Sequence, residues 1–272
     1  MRIQTNTAAN FALRNGQVNQ TATERSIQRL SSGFRINRAG DDAAGLAIAN
    51  TLRANNRALS QAQKNASQAN SVLQIVDGAT QTIATILDRM KELAMQSASD
   101  NAGVGASDAR KNLDAEYQKL ISEIGRIADS TTYQGTSLFA ATTFEFVVSS
   151  SGTLANDKVT FTGQAATTFA PGGDLLTDAA ADTAVGAIDT AIKAVNTFIG
   201  DLGAAQSRID FASANVAIQL QNSQAAESTI RDADMAYEMS QFTKNNILAQ
   251  ASQSMLAQAN ANAQGILQLL RG

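Results

Sequence analysis

The sequence predicts a mainly α protein, a long antiparallel helical bundle or coiled coil with a small β-hairpin region. Three observations carry this. One Pro, Pro171, interrupts 272 residues, so almost nothing breaks a helix. Long apolar stripes recur at steps of three, four and seven. One stretch alone, 131–178, is rich in Thr, Ser and Gly and changes to a period of two.

The N-terminal stretch mixes Ile3, Phe11, Leu13, Val18, Ile27 and Leu30 with polar residues on all sides. From Asp42 onward Leu46, Ala49, Leu52, Leu59, Ala66, Leu73, Val76, Ile83, Leu87, Met90 and Ala94 form one stripe. They predict a helix to about Ser97, roughly 80 Å long at ~1.5 Å per residue. Asn101–Gly105 reads as a loop with two Gly, and Ser107 or Asp108 caps a second helix marked by Leu113, Tyr117, Leu120, Ile124 and Ile127, ending near Asp129. It is short enough to fold back on the first. In 131–178, Phe144, Phe146 and Val148, then Val159 and Phe161, alternate with polar residues, and a hairpin at one tip of the bundle is expected. Val185, Ile188, Ile192, Val195, Ile199, Leu202, Ile209, Val216 and Leu220 mark a third long helix running to about Ser223.

The last segment, Met235 to Leu270, has two apolar faces. One series runs through Met235, Met239, Phe242, Leu256, Leu267 and Leu270; the other runs through Leu248, Met255, Ile266 and Leu269. A lone monomer leaves one of them wet, at ~1.5–3 kcal/mol of forgone burial per large side chain. Both ends of the chain therefore look built for neighbours, and are expected to order fully only in an assembly.

Composition narrows the function. There is no Cys, His or Trp, which removes the preferred zinc and copper ligands and the usual activated nucleophile and base. No cofactor, no metal and no enzymatic activity are expected. Formal charge is −3, unevenly placed: residues 1–38 carry six Arg against Glu24 alone. Arg spaced this thinly does not read as a nucleic-acid surface. No window has the ~18 apolar residues of a membrane span, so neither nucleic acid nor membrane is an expected partner. Asp41-Asp42 reads as a helix N-cap followed by a first-turn acid, and Asp232 and Asp234 as charge pairing or capping between two helical segments.

Two stretches carry a resemblance. Leu30-Ser31-Ser32-Gly33-Phe34-Arg35-Ile36-Asn37 followed by Asp41-Asp42-Ala43-Ala44-Gly45, and Asp232-Ala233-Asp234-Met235-Ala236 leading to Met255-Leu256-Ala257-Gln258-Ala259-Asn260, closely resemble the terminal regions of bacterial flagellin. Thr132-Tyr133-Gln134-Gly135 and Leu202-Gly203-Ala204-Ala205-Gln206-Ser207-Arg208 agree as well. The resemblance covers about residues 1–140 and 183–272. Gln4, Arg38, Gly40 and Ala263 depart from residues common in that family.

The resemblance implies a filament subunit without a separate outer domain, exported unfolded through the flagellar type III apparatus, secreted, and polymerised into the extracellular filament of the bacterial flagellum for motility. It implies that the terminal helices pair in an inner tube and assigns 1–40 to an inner-tube helix and connector. Residues 41–139 and 179–233 become an outer core, 140–178 a hairpin or variable region, and 234–272 the second inner-tube helix. Leu30, Ser31, Ser32, Gly33, Arg35, Asn37, Asp41, Asp42, Gly45, Asp232 and Asp234 fall in the connector. Phe11, Met239, Phe242, Met255, Leu256, Ile266, Leu267 and Leu270 fall in the tube. Partners implied are copies of the chain itself, the flagellar cap, junction proteins, an export chaperone and the export apparatus. Arg89, Leu93, Gln96 and Glu116 match a surface that many flagellins present to a vertebrate innate immune receptor, although periodicity alone puts Met90 and Leu93 on the buried stripe. A hook-filament junction protein is the alternative within the same apparatus.

Overall fold

The computed structural model describes residues 6–99, 108–150 and 157–269. Five helices dominate: α1 Thr7–Ser32, α2 Ala43–Ser97, α3 Asp108–Ser130, α4 Asp178–Arg231 and α5 Met235–Leu269. Two antiparallel pairs of short strands lie between α3 and α4: β1 Thr132–Tyr133 with β2 Thr136–Ser137, and β3 Thr143–Val147 with β4 Lys158–Thr162. The chain divides into two compact units, one of Arg57–Gln221 and the other of Met1–Asn56 with Asn222–Gly272.

In the Arg57–Gln221 unit the stripe of α2 is a strict heptad. Leu59, Ala66, Leu73, Thr80, Leu87 and Ala94 are all buried, as are Ala62, Ala69, Val76, Ile83, Met90 and Ser97. On α4, Ala181, Ile188, Val195, Leu202, Ile209 and Val216 are buried at the same spacing, with Ala184, Ala191, Phe198 and Ala205 between them. A seven-residue repeat falls short of two full helical turns, so the two helices keep their seams together by a left-handed supercoil. Polar contacts fix their antiparallel register. Lys91 Nζ donates to Asp189 at 2.7 Å, and Asn70 Nδ2 donates to Asp210 at 2.7 Å. Moving three heptads back on α2 means moving three heptads forward on α4. Thr80, polar in an apolar seam, satisfies its hydroxyl on the Val76 carbonyl at 2.7 Å.

α3 folds back as expected, burying Tyr117, Ile124 and Ala128 in the same core, while the wholly buried Arg110 pairs with Asp178 at the start of α4. Burial, with the Asp114 charge second, pushes the Tyr117 phenol up to about 12. The expected loop Asn101–Gly105 lies outside the described residues. Gln134 at φ 51° and Gly135 at φ 80° make the tight turn between β1 and β2, where both central residues need positive φ.

The hairpin forms where alternation predicts it, with Phe144 opposite Phe161 and Phe146 opposite Val159. Its expected place at a tip of the bundle is wrong. Asn65 Nδ2 donates to the Val147 carbonyl and Ser97 Oγ to the Leu175 carbonyl, so the described residues of this segment, 131–150 and 157–178, run beside α2 for most of its length in this unit. The reason is apolar content hidden by the Thr and Ser: Leu138, Phe139, Val159, Phe161, Phe169 and Leu175 are buried with the helices. The rings of Phe139, Phe161 and Phe169 lie 6.1, 5.6 and 5.5 Å from that of Phe198. A pair of supercoiled helices leaves the flank of its seam open, and this segment closes it. Gly163 permits the close approach, since a Cβ there would stand 2.4 Å from the Ala140 carbonyl oxygen and 2.6 Å from that of Leu138.

α4 also outruns its expected end near Ser223. Its apolar stripe fades there, but Ala225 and Ala226 favour helix and no breaker stands before Asp232. No described helix is long and apolar enough to cross a membrane.

Candidate assembly site

The Met1–Asn56 and Asn222–Gly272 unit is built on a pair of helices with almost no core. α1 and α5 pack antiparallel. Asn6 caps α1 by accepting from the Ala9 amide, and its Nδ2 donates to the Ala259 carbonyl at 3.1 Å. At the other end Arg29 Nη1 meets Glu238 Oε1 at 2.9 Å, and the Glu238 carboxylate is nearly fully buried. Ile36 and Ala49 are the only buried apolar residues of this unit among those described. Phe11 is 70% exposed and Met255 63%, and Leu13, Val18, Ile27, Met235, Tyr237, Met239, Ile247 and Leu248 are exposed too. Phe242 and Leu256 are half-buried. Phe11, Leu248 and Met255 line an open groove of about 400 Å³. The side chains of Ile266 and Leu267, and all of Leu270, lie outside the described residues.

Within the same unit a compact knot closes the crossing between helices. Gly33 ends α1 at φ 74°, its amide donating to the Arg29 carbonyl at 2.8 Å. The chain then pairs with the segment after α4: the Arg35 amide donates to the Arg231 carbonyl at 2.7 Å, and the Ala233 amide to the Gly33 carbonyl at 2.9 Å. This places Phe34 opposite Asp232 as an isolated β-bridge. Arg35 Nη2 reaches the Ile230 carbonyl at 2.8 Å, and the Arg231 guanidinium carbon lies 4.1 Å above the centre of the Phe34 ring. Ser32 Oγ accepts from the Phe34 amide and from Asn37 Nδ2. Leu30 is half-buried and Ser31 exposed. Asp234 caps α5 by accepting from the Ala236 and Tyr237 amides, as expected. Asp232 instead contributes backbone, closing the last turn of α4 on the Ser228 carbonyl.

Asp41 and Asp42 divide their work differently from the expected cap and first-turn acid. Asp42 is the cap, its Oδ1 accepting from the Gly45 amide at 2.9 Å. Asp41 turns back, its Oδ2 accepting from the Asn37 and Arg38 amides at 3.2 and 3.1 Å. Both carboxylates therefore sit before the first turn, where unpaired amides of helix and loop compete for acceptors. Gly45 is required by packing: a Cβ would stand 2.4 Å from Asp42 Oδ2 and 2.8 Å from Ile36 Cδ1.

The Arg38 amide, outweighing the opposing effect of burial and helped by the weaker contributions of the Asn37 amide and the charges of Arg29 and Arg25, holds Asp41 below the usual carboxylate range. The folded knot thus favours the ionised form. Its contribution is present above the unfolded value of ~4 and is lost as pH falls through the lower folded value. The protection of the Asn37 and Arg38 amides against hydrogen exchange, relative to their intrinsic rate at each pH, should fall selectively below about pH 4, and Asp41→Asn should remove that pH dependence.

In the Arg57–Gln221 unit, Arg89 bonds Glu116 through Nε and Nη2 at 3.1 and 3.0 Å and Glu92 through Nη1 at 3.0 Å, all three exposed. Gln96 is exposed on the same helix. Leu93 is 1% exposed, which excludes it from any surface; it is buried in the same core cluster as Met90, Ala94 and Tyr117, inside as periodicity expects. No group of three or more His, Cys, Asp or Glu that could hold a metal ion occurs among the described residues.

The family model of the bacterial flagellin N-terminal helical region matches residues 3–143, and that of the C-terminal helical region matches 185–270. The chain belongs to the bacterial flagellin family. It is 42% identical to a flagellin of Halalkalibacterium halodurans over the whole of both chains. It is 38% identical to a flagellin of Bacillus subtilis, again over both full chains. A flagellar filament 30.7 kDa core protein of Treponema maltophilum is 38% identical, covering 99% of this chain and 100% of its own. The crystal structure of Bacillus cereus flagellin superposes with a TM-score of 0.50 at 30% identity, covering 60% of this chain and 94% of that one. As a flagellin the chain is a structural subunit of the extracellular filament of the bacterial flagellum. The surface of α1 and α5 is then the surface of a polymer component, met without its neighbours.

Sequence reasoning missed Arg29, Phe34, Ile36, Arg231 and Glu238 as parts of this site. One signal was available. Glu238 is the only acid from Met235 to the end, in a chain whose opposite end is basic.

Proposed function

We propose that α1 and α5 together line the inner tube of the filament, within residues 1–40 and 234–272, and that residues 41–139 and 179–233 supply an outer core flanked by the hairpin region 140–178. The knot formed by Leu30, Ser31, Ser32, Gly33, Arg35, Asn37, Asp41, Asp42 and Gly45 with Asp232 and Asp234 acts as the connector. Phe11, Met239, Phe242, Met255, Leu256, Ile266, Leu267 and Leu270 pack against neighbouring copies. One observation carries the reading: helices of 26 and 35 residues face each other with hardly a buried apolar side chain while Phe11 and Met255 stay wet. A folded unit with its greasiest residues outside is half of an interface.

Before assembly the subunit travels unfolded through the flagellar type III apparatus, attended by an export chaperone, and adds beneath the flagellar cap, above the junction proteins. A chain without Cys meets no disulfide barrier on that route. Arg89, Gln96 and Glu116 remain the residues proposed for contact with the vertebrate innate immune receptor.

The test is polymerisation of purified full-length protein followed by electron microscopy. Wild type is expected to form long filaments. Phe11→Glu with Met255→Glu is expected to leave monomers of unchanged helix content and no filaments; filaments of normal length from that variant would contradict the assignment.

A further inference from the structure

α4 carries two heptad seams. The first, through Leu202, Ala205, Ile209 and Val216, is buried against the rest of its unit and complete. The second follows two residues behind it through Ala204, Ser207, Phe211, Ala214, Ile218 and Gln221, and every one of these is exposed. Phe211 is 77% exposed and Ile218 60%. Single apolar residues on a surface are ordinary. Two large ones at equivalent heptad positions, spaced by small residues, make knobs with the holes a second helix needs. From Phe211 to Ala226 no residue is charged. Arg208 and Asp210 flank only the N-terminal end of the seam, so a partner bringing ionised groups beside Ile218 would bury them without counter-charges from α4.

We propose that this outer seam of α4 is a contact between copies of the chain inside the filament. The proposal rests on the filament reading above and adds to it a second surface, in the other unit from the α1 and α5 faces. Area decides between a dimer and a polymer. Two large side chains, three small ones and Gln221 hide a few hundred Å² at most, against the ~800 Å² per partner of a standard stable interface. The seam is too small to hold two subunits alone, so it leaves the dilute protein monomeric and acts only where other contacts already hold copies together.

The test uses the full-length chain with Phe211→Glu, Ile218→Glu and Phe211→Leu. At these exposed positions the monomer is expected to keep the wild-type circular dichroism and melting temperature. The monomer concentration left in equilibrium with filaments is expected to rise at least tenfold in each Glu variant and to return near wild type in Phe211→Leu. A Glu variant that assembles at the wild-type concentration overturns the proposal. Because the chain has no Cys, Phe211→Cys gives an independent readout that does not depend on tolerance of a charge. The thiol should react freely with a maleimide in the monomer and at least tenfold more slowly in filaments. Equal reactivity in both states overturns the proposal and leaves some other partner as the occupant of the seam. If wild type itself forms no filaments, the filament reading fails first, and the proposal with it.

Discussion

Deleting residues 239–272 should leave a soluble helical protein that forms no filaments at any concentration. The deletion removes all but the first turn of α5, and with it the exposed Met239, Ile247, Leu248 and Met255. Each large side chain of this kind is worth ~1.5–3 kcal/mol when a neighbour covers it, and the polymer loses that for every subunit added. The buried core of the Arg57–Gln221 unit is untouched, because all of its residues lie before the cut. Sedimentation and electron microscopy measure the loss of polymer, and circular dichroism with thermal melting measures the surviving core. Filaments from the truncated chain, or a truncated chain without a cooperative melt, would contradict this division of labour.

The second large effect is expected at the opposite kind of position. Phe198→Ala should destabilise the Arg57–Gln221 unit by ~3–5 kcal/mol, since it removes the one ring that touches Phe139, Phe161 and Phe169 together. For a unit of this size that lowers its melting temperature by roughly 6–20 °C. The loss exceeds simple transfer because the three partner rings come from a loop, a strand and the residue that ends the short helical turn Ala166–Thr168, which cannot close together over the gap. At a temperature where the variant is still folded, polymerisation should follow the fraction of native protein and no more. A shift below 2 °C, measured by calorimetry, would mean that the aromatic cluster does not hold this segment against the bundle.

Much of the helical framework was legible because its cause is local. The spacing of Leu59, Leu73, Ile83, Leu87 and Met90 predicts both α2 and the face it buries, and the alternation of Phe144, Phe146, Val159 and Phe161 predicts the hairpin. The two-sided apolar pattern of 235–270 predicts a helix in want of partners, and Met239 and Met255 are indeed exposed. The errors lie where a residue's role depends on something far away in the chain. The hairpin's place along α2 depends on which surface of a two-helix seam needs covering, and composition does not encode that. Leu93 shows a conflict resolved by packing: an assignment by resemblance put it on a surface, and the periodicity of its helix put it inside. The cap moved from Asp41 to Asp42, and Asp41 turned to the loop amides, because one residue's shift in the helix start decides which amides each carboxylate can reach. Arg29 and Glu238 are 209 positions apart, and only the fold brings them together.

The account stands on the claim that the α1 and α5 unit is incomplete until copies cover it, and hydrogen exchange reads this most directly. With so few buried apolar contacts, local opening of α1 and α5 should cost far less than global unfolding of the Arg57–Gln221 unit. In dilute monomer the amides of both helices should exchange orders of magnitude faster than those of α2 around Leu73 to Met90, and in filaments they should become protected to a comparable degree. Equal protection of α1, α5 and the α2 core in the isolated monomer, with no gain on polymerisation, would contradict it.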